Sequence, residues 1–274
     1  MVGEPEGDSL VVTTSLRPGS GLDARARRIA ADLQVPYAPR QDKSTAHLVA
    51  ETGASRLLLV GVERVALRDV SNEIEYAFHP NMTPVRAAKL LHGGRDPFAE
   101  ATGLGPGDRL LDCTLGFAAE ATLGALLVGE TGLVVGLESV PELAAVTREG
   151  LRTFPMPQPA LAAAMRRVTV ITTDYRDYLP RCASGAFDVV CFDPFFPERL
   201  PGAENSVSPL AHFGNPAPLD AASVGEARRV ARRRVVVKHP RHEPLPSELA
   251  GDVSDIITAR HSRLAYSVLP ALPA

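Results

Sequence analysis

The chain has 274 residues, 45% of them hydrophobic and 22% charged, a profile that belongs to folded globular proteins and argues against disorder. Its formal charge of −3 excludes a globally basic surface, so any contact with nucleic acid has to come from a local cluster of Lys and Arg. The longest apolar runs, 57–62 and 123–128, fall short of the roughly 20 residues that cross a bilayer, and the acidic start lacks the basic-then-apolar order of a signal peptide, so a cytoplasmic protein is expected.

In chain order, residues 10–15 are rich in β-branched side chains and predict a strand, followed by a helix over 22–33, a short strand near Val35 and a helix over 44–52. Strands follow around 57–61 and 65–70. This alternation predicts helices packed on a small sheet. Residues 73–79 predict another strand, and Pro80 and Pro84 punctuate the chain before a helical stretch over 85–91. The boundary is expected near residue 80, giving a small α/β domain over 1–80 and a larger one over 81–274.

From Gly105 the chain alternates strand and helix: strands at 109–113, 133–137, 168–172 and 187–192, with helices at 118–127 and 140–151 between the early ones. A helix over 221–231 leads to a strand at 234–238, and the apolar segment 264–269 completes the sheet. Such alternation predicts a parallel, doubly wound α/β fold. The polar, proline-rich stretch 197–218 lies just beyond a strand end, where open sheets of this kind place their ligands, and is the expected substrate loop.

The chemistry concentrates at strand ends. Asp112-Cys113-Thr114-Leu115-Gly116 closes the first strand, and its glycine permits a sharp turn into a helix whose free N–H groups face a ligand. Glu138, followed by Ser139, ends the next strand 22 residues after Gly116, close to the spacing at which an acid meets ribose hydroxyls. A single glycine here, where G-x-G-x-x-G has three, provides no pyrophosphate cradle, so a nucleoside ligand without phosphates fits better than a nicotinamide dinucleotide. Asp174, before Tyr175, ends the third strand and reads either as an acceptor for an adenine amino group or as a helix N-cap.

The fourth strand delivers Asp193-Pro194-Phe195-Phe196-Pro197. A carboxylate with the adjacent Pro194 carbonyl can accept both N–H bonds of an exocyclic amine and aim its lone pair, while Phe195 or Phe196 can stack on a base. The bland alternative is a proline-terminated strand with core phenylalanines. The three cysteines, Cys113, Cys182 and Cys191, contain no CxxC, and no histidine has metal-ligand spacing, so neither a disulfide framework nor a metal is expected. The dense run Arg228, Arg229, Arg232, Arg233, Arg234, Lys238 and Arg241 is either a phosphate-contacting patch or a solvated face.

Three segments, Asp112 to Gly116, Asp193 to Pro197 and Arg234-Val235-Val236-Val237-Lys238-His239-Pro240, stand in the order and approximate spacing of a known family. On these the chain resembles the RsmJ-type small-subunit ribosomal RNA guanine-N2 methyltransferases and their shorter Gram-positive relatives. The resemblance implies a Rossmann-like class I sheet of seven strands with the last antiparallel, S-adenosylmethionine as cofactor, RNA as partner and a role in rRNA processing. It implies cofactor contacts from Asp112, Thr114, Gly116, Glu120, Glu138, Ser139, Asp174 and Tyr175, with catalysis by Asp193, Pro194, Phe195 and Phe196. His79, Asn81, Arg86 and Lys238 are the expected substrate contacts. Ala118 and Glu120 stand where relatives commonly carry glycine and aspartate, and the alanine restricts the φ angles of the loop.

The start of the chain, Val11 to Pro18 with Arg25 and Arg28 in the helix behind it, also resembles the opening of Brix-type RNA-binding domains, which makes Arg17, Arg25 and Arg28 candidate RNA contacts. The competing readings are an adenine-N6 or protein-amine methyltransferase, a non-catalytic RNA-binding assembly factor on the same scaffold, and, least favoured, a nicotinamide-dependent oxidoreductase.

Overall fold

The computed structural model describes residues 9–16, 21–195, 208–243, 245–260 and 262–273. Arg17, Phe196, Pro197 and half of the expected substrate loop, 197–207, lie outside the described residues. The chain opens with β1 (Leu10–Thr14), α1 (Leu22–Leu33), α2 (Thr45–Thr52), β2 (Arg56–Val60), β3 (Val65–Asp69) and β4 (Ile74–Ala77). It continues with α3 (Thr83–Leu91), α4 (Pro97–Thr102), β5 (Arg109–Asp112), α5 (Ala119–Val128), β6 (Leu133–Glu138), α6 (Pro141–Thr153), α7 (Pro159–Arg167), β7 (Val168–Thr172), α8 (Tyr175–Tyr178) and β8 (Phe187–Phe192). The last elements are α9 (Ser208–Phe213), α10 (Ala221–Val230), β9 (Ala231–Pro240), α11 (Ser247–Ala250), β10 (Asp255–Thr258) and β11 (Leu264–Pro270).

By packing, the chain forms two compact units, Met1–His79 with Pro141–Pro155, and Pro80–Val140 with Met156–Ala274. The first holds a four-stranded sheet in the order β1-β2-β3-β4, with β1 and β2 parallel and the remaining pairs antiparallel. The strand expected near Val35 is reduced to one parallel bridge between Val12 and Tyr37. Helix α2 starts where expected because the Ser44 side chain accepts the His47 N–H at 3.1 Å, an N-cap.

Helix α6 follows β6 in sequence, yet it belongs to the first unit. Its apolar stripe, Leu143, Val146, Thr147, Gly150 and Leu151, is buried, and the missing side chain of Gly150 makes room for the Phe78 ring, which a Cβ there would approach to 2.1 Å. Glu149 anchors the same helix: it is buried between Arg25 and Arg28, each at 2.7 Å. Both arginines pair with this internal carboxylate, and Arg28 keeps 48% of its side-chain exposure. Hydrogen bonds from the arginines outweigh the burial that would raise the Glu149 pKa, and hold it at about 2.

The second unit holds a seven-stranded sheet in the order β10-β11-β9-β8-β5-β6-β7. Strands β5 to β9 run parallel and β11 is antiparallel to both neighbours, which is the Rossmann-like arrangement expected. Its central strands are buried throughout, as continuous apolar runs in parallel sheets require. Helix α5 packs so closely on β5 that a Cβ on Gly124 would lie 2.2 Å from Leu110. The chain leaves β5 toward β6 on one side and β8 on the other, so the crevice outside the carboxyl ends of these strands is the topological switch point. No helix among the described residues is long and apolar enough to cross a membrane.

Candidate active site

Strand register decides which side chains meet at the switch point. Asp112 pairs with Cys191 and Lys238 pairs with Tyr266, while β8 and β9 are aligned so that Phe192 faces Val237. One step further, Asp193 emerges between Thr114 and Lys238. Its backbone N–H donates to the Thr114 hydroxyl at 2.5 Å, and its Oδ2 accepts from the Lys238 Nζ at 2.6 Å. Oδ1 of Asp193 has no hydrogen-bond partner among the described residues, and the side chain retains 30% of its exposure, so one oxygen remains for a ligand.

A buried charge network supports this pair. Oε1 of Glu120, in the first turn of α5, accepts from Lys238 at 3.1 Å, Arg86 at 3.1 Å and the Tyr266 hydroxyl at 3.0 Å. Arg86 also grips Asp96 with two bonds, 2.9 and 3.0 Å, and Asp96 in turn caps α4 by accepting the N–H groups of Phe98 and Ala99. Burial would raise the Glu120 pKa, but the two cations hold it down to about 2. Burial likewise raises Asp193, with Glu120 adding to the effect and Lys238 opposing it. Glu120, expected to reach a cofactor, is thus engaged by three internal donors. Arg86 and Lys238, expected on substrate, are the cations that hold these carboxylates in place.

Asp112 has no such partner. It is buried, accepts a single N–H from Thr114 at 3.1 Å, and is pushed up to about 7 by burial, with Glu120 and Asp193 adding repulsion. Four carboxylates, Asp96, Asp112, Glu120 and Asp193, face two cations, Arg86 and Lys238, which leaves the pocket formally anionic. Its charge suits a ligand carrying positive charge.

The turn from β5 into α5 uses two left-handed residues, Gly116 at φ +46° and Ala118 at φ +57°. Ala118 takes the conformation expected of a glycine at a cost of about 1–2 kcal/mol, so the alanine strains the loop without diverting it. Glu138 joins the loop to β6, accepting the Val140 N–H at 3.0 Å and the Gly116 N–H at 3.3 Å. Burial raises its pKa, and these amides with that of Ser139 oppose the rise. Asp174 caps α8 by accepting the Arg176 N–H at 2.8 Å, and Tyr175 packs edge-on against Phe192 with centroids 5.3 Å apart.

Helix α9 lies over the same ground. A Cβ on Gly116 would meet Leu210 at 3.1 Å, and a Cβ on Gly214 would meet the Phe195 ring at 2.6 Å. Phe195 is half-buried against this helix, whereas Phe196 is outside the described residues. Asn81 occupies a left-handed turn before α3. His79 falls in the first unit, exposed and edge-on to Phe154 at 6.2 Å.

Six of the seven residues of the basic run have partners within the chain, while Arg241 is exposed. Arg228 donates to the Pro270 carbonyl and pairs with Asp252; Arg229 pairs with Glu226 at 2.7 Å. Arg232 reaches Asp188 at 3.1 Å, Arg233 reaches Asp108 at 2.5 Å, and Arg234 donates to the Ala101 carbonyl at 3.2 Å. Tyr266 and Asp96 are the network members that sequence reasoning missed. An Asp-Pro pair ahead of a short helical stretch was the readable sign of Asp96 as a cap; nothing marked it as the partner of Arg86.

A Rossmann-like sheet, reversed at β5 and lined with acids at its carboxyl ends, defines a class I methyltransferase fold. The family model "Putative SAM-dependent methyltransferase" matches residues 43–265. The chain is 35% identical over 228 residues to "Uncharacterized protein YpiP" of Bacillus subtilis, spanning 83% of this chain and 88% of that protein. It is 32% identical over 218 residues to "Ribosomal RNA small subunit methyltransferase J" of Actinobacillus pleuropneumoniae serotype 3, spanning 76% and 84%. The crystal structure of a SAM-dependent methyltransferase from Neisseria gonorrhoeae shares the fold, with a TM-score of 0.62 at 19% identity over 96% of this chain and 97% of that one. The chain belongs to the SAM-dependent methyltransferase family, and S-adenosylmethionine is its cofactor.

Proposed function

We propose that this enzyme methylates an exocyclic amino group of ribosomal RNA, with N2 of a guanine in small-subunit RNA as the acceptor. The observation that carries the reading is Asp193, oriented by Thr114 and Lys238 with one carboxylate oxygen left for a ligand. The relative named as a small-subunit ribosomal RNA methyltransferase supports the substrate class.

S-adenosylmethionine supplies a methyl group on a sulfonium. The excess of carboxylates at the strand ends fits its net positive charge, and Asp112 would hold its ammonium, Glu138 its ribose and Asp174 its adenine. Asp193 and the Pro194 carbonyl accept the two N–H bonds of the amine, which withdraws the nitrogen lone pair from conjugation and aims it at the methyl carbon. The bound cofactor would supply its methyl group in line, the nitrogen–carbon bond forming as the carbon–sulfur bond gave up its electron pair to sulfur. The amine then loses a proton, and the raised Asp193 carboxyl is placed to take it. Lys238 keeps that carboxylate oriented and Glu120 fixes Lys238. Positioning of this kind supplies most of the acceleration. Phe195 stacks on the base.

The test is methyl transfer from labelled S-adenosylmethionine to unmodified small-subunit RNA, both naked and in particles, followed by nucleoside mass spectrometry. N2-methylguanosine is the expected product. Label in N6-methyladenosine or in protein would overturn the assignment of the acceptor, and no transfer to either RNA form would overturn the substrate class.

A further inference from the structure

Arg40, in the first unit, is 7% exposed, and its Nε and Nη1 are buried without a hydrogen-bond partner. It forms no ion pair among the described residues. Burial lowers its pKa, and the neighbouring Arg68 lowers it further, so the group nearest to it in charge is another cation. Arg68 likewise has no hydrogen bond or ion pair among the described residues.

The strand register sets Arg68 on the sheet face where Ala38, Val11 and Leu57 pack. Ala38 donates its N–H to the Val12 carbonyl at 2.9 Å, which extends the sheet beyond β1, and Ala38 packs with Val11 and Leu57 on one face. Arg40 follows two residues later. Arg68, in β3, pairs with Leu57, so it stands in the same cross-strand row. A buried, uncompensated guanidinium is strongly unfavourable unless a counter-charge reaches it. The two guanidinium groups offer only donors and positive charge, and the planar fork of Arg suits tetrahedral oxyanions.

We infer that Arg40, with Arg68 beside it, forms a binding site for a phosphate group on the sheet of the first unit. The phosphate is either a free anion or a phosphodiester of a polynucleotide; the chemistry of recognition is the same. This site is independent of methyl transfer and of the RNA contacts expected of Arg25 and Arg28, which face Glu149.

The experiment is thermal denaturation of the full chain as sodium phosphate replaces sodium chloride at constant ionic strength, for wild type, Arg40→Met and Arg68→Met. Wild type is expected to gain Tm saturably with phosphate. Arg40→Met should melt higher than wild type in chloride, because a buried charge is removed, and should lose the phosphate response. Arg68→Met should bind phosphate about tenfold more weakly, as expected for one charge-assisted bond. A short oligoribonucleotide that shifts the phosphate midpoint identifies a phosphodiester as the occupant; a midpoint that does not move identifies the free anion. The absence of any saturable phosphate response in wild type, or a response undiminished in Arg40→Met, overturns the inference. If Arg40→Met does not fold, an undiminished response in Arg68→Met does so.

Discussion

Replacing Asp112 by Asn should stabilise the protein at alkaline pH while weakening its hold on the cofactor. Asp112 is buried beside Glu120 and Asp193, and its pKa is raised from 3.8 to about 7. The folded chain therefore holds this proton more tightly than the unfolded chain. The resulting stabilisation is complete below the ordinary carboxylate pKa and disappears as pH rises through about 7. At about 1.36 kcal/mol per unit, the shift amounts to roughly 4 kcal/mol of strain when the carboxylate is ionised. Asn keeps an oxygen for the Thr114 N–H and carries no charge. Denaturant melts should show the variant more stable than wild type by roughly 2–4 kcal/mol at pH 8.5, with the difference shrinking as pH falls and the two converging below about pH 4. In calorimetry, wild-type affinity for S-adenosylmethionine should rise with pH up to about 7, because binding a cation displaces the Asp112 proton, and the variant should lack this dependence. A variant no more stable than wild type at pH 8.5 would refute the reasoning.

Glu149→Gln should destabilise the first unit by about 3 kcal/mol at neutral pH, since its pKa is depressed from 4.5 to about 2 by Arg25, Arg28 and Arg152. That contribution is present above pH 4.5 and lost as pH falls toward 2, so urea melts of variant and wild type should approach one another on acidification. Gly150→Ala should lower stability by about 1–3 kcal/mol through collision with the Phe78 ring, as read from Tm. Tyr266→Phe should cost about 1–3 kcal/mol by removing the hydroxyl that bridges Arg86 and Glu120, and should lower transfer less than the loss of Asp193, which faces the ligand directly.

Local patterns revealed the elements that carry strong periodicity or caps. The helix expected over 22–33 and the strands over 168–172 and 187–192 coincide with the observed ones, because an apolar stripe, a β-branched run or a buried apolar run marked each. Helix α7, Pro159–Arg167, was missed, although Pro159 at its first turn and the buried face of Leu161, Ala164 and Met165 were readable signs. Strand β10 is an edge strand with exposed positions and lacks the alternation that would announce it. At the site, Asp112, Gly116, Glu138 and Asp193 were visible because strand ends before turns are where acids and glycines act. The partners were not. That Lys238 faces Tyr266, or that Arg25 and Arg28 turn to Glu149, depends on sheet register and on the packing of α6, both set by contacts far apart in sequence.

The most direct test of the site compares Asp193→Ala with wild type in two assays on the same preparation, S-adenosylmethionine binding by calorimetry and single-turnover methyl transfer to small-subunit RNA. If Asp193 positions the acceptor amine, the variant should bind the cofactor within about threefold of wild type and transfer at least about 100-fold more slowly. Transfer within about threefold of wild type, with binding intact, would contradict the account.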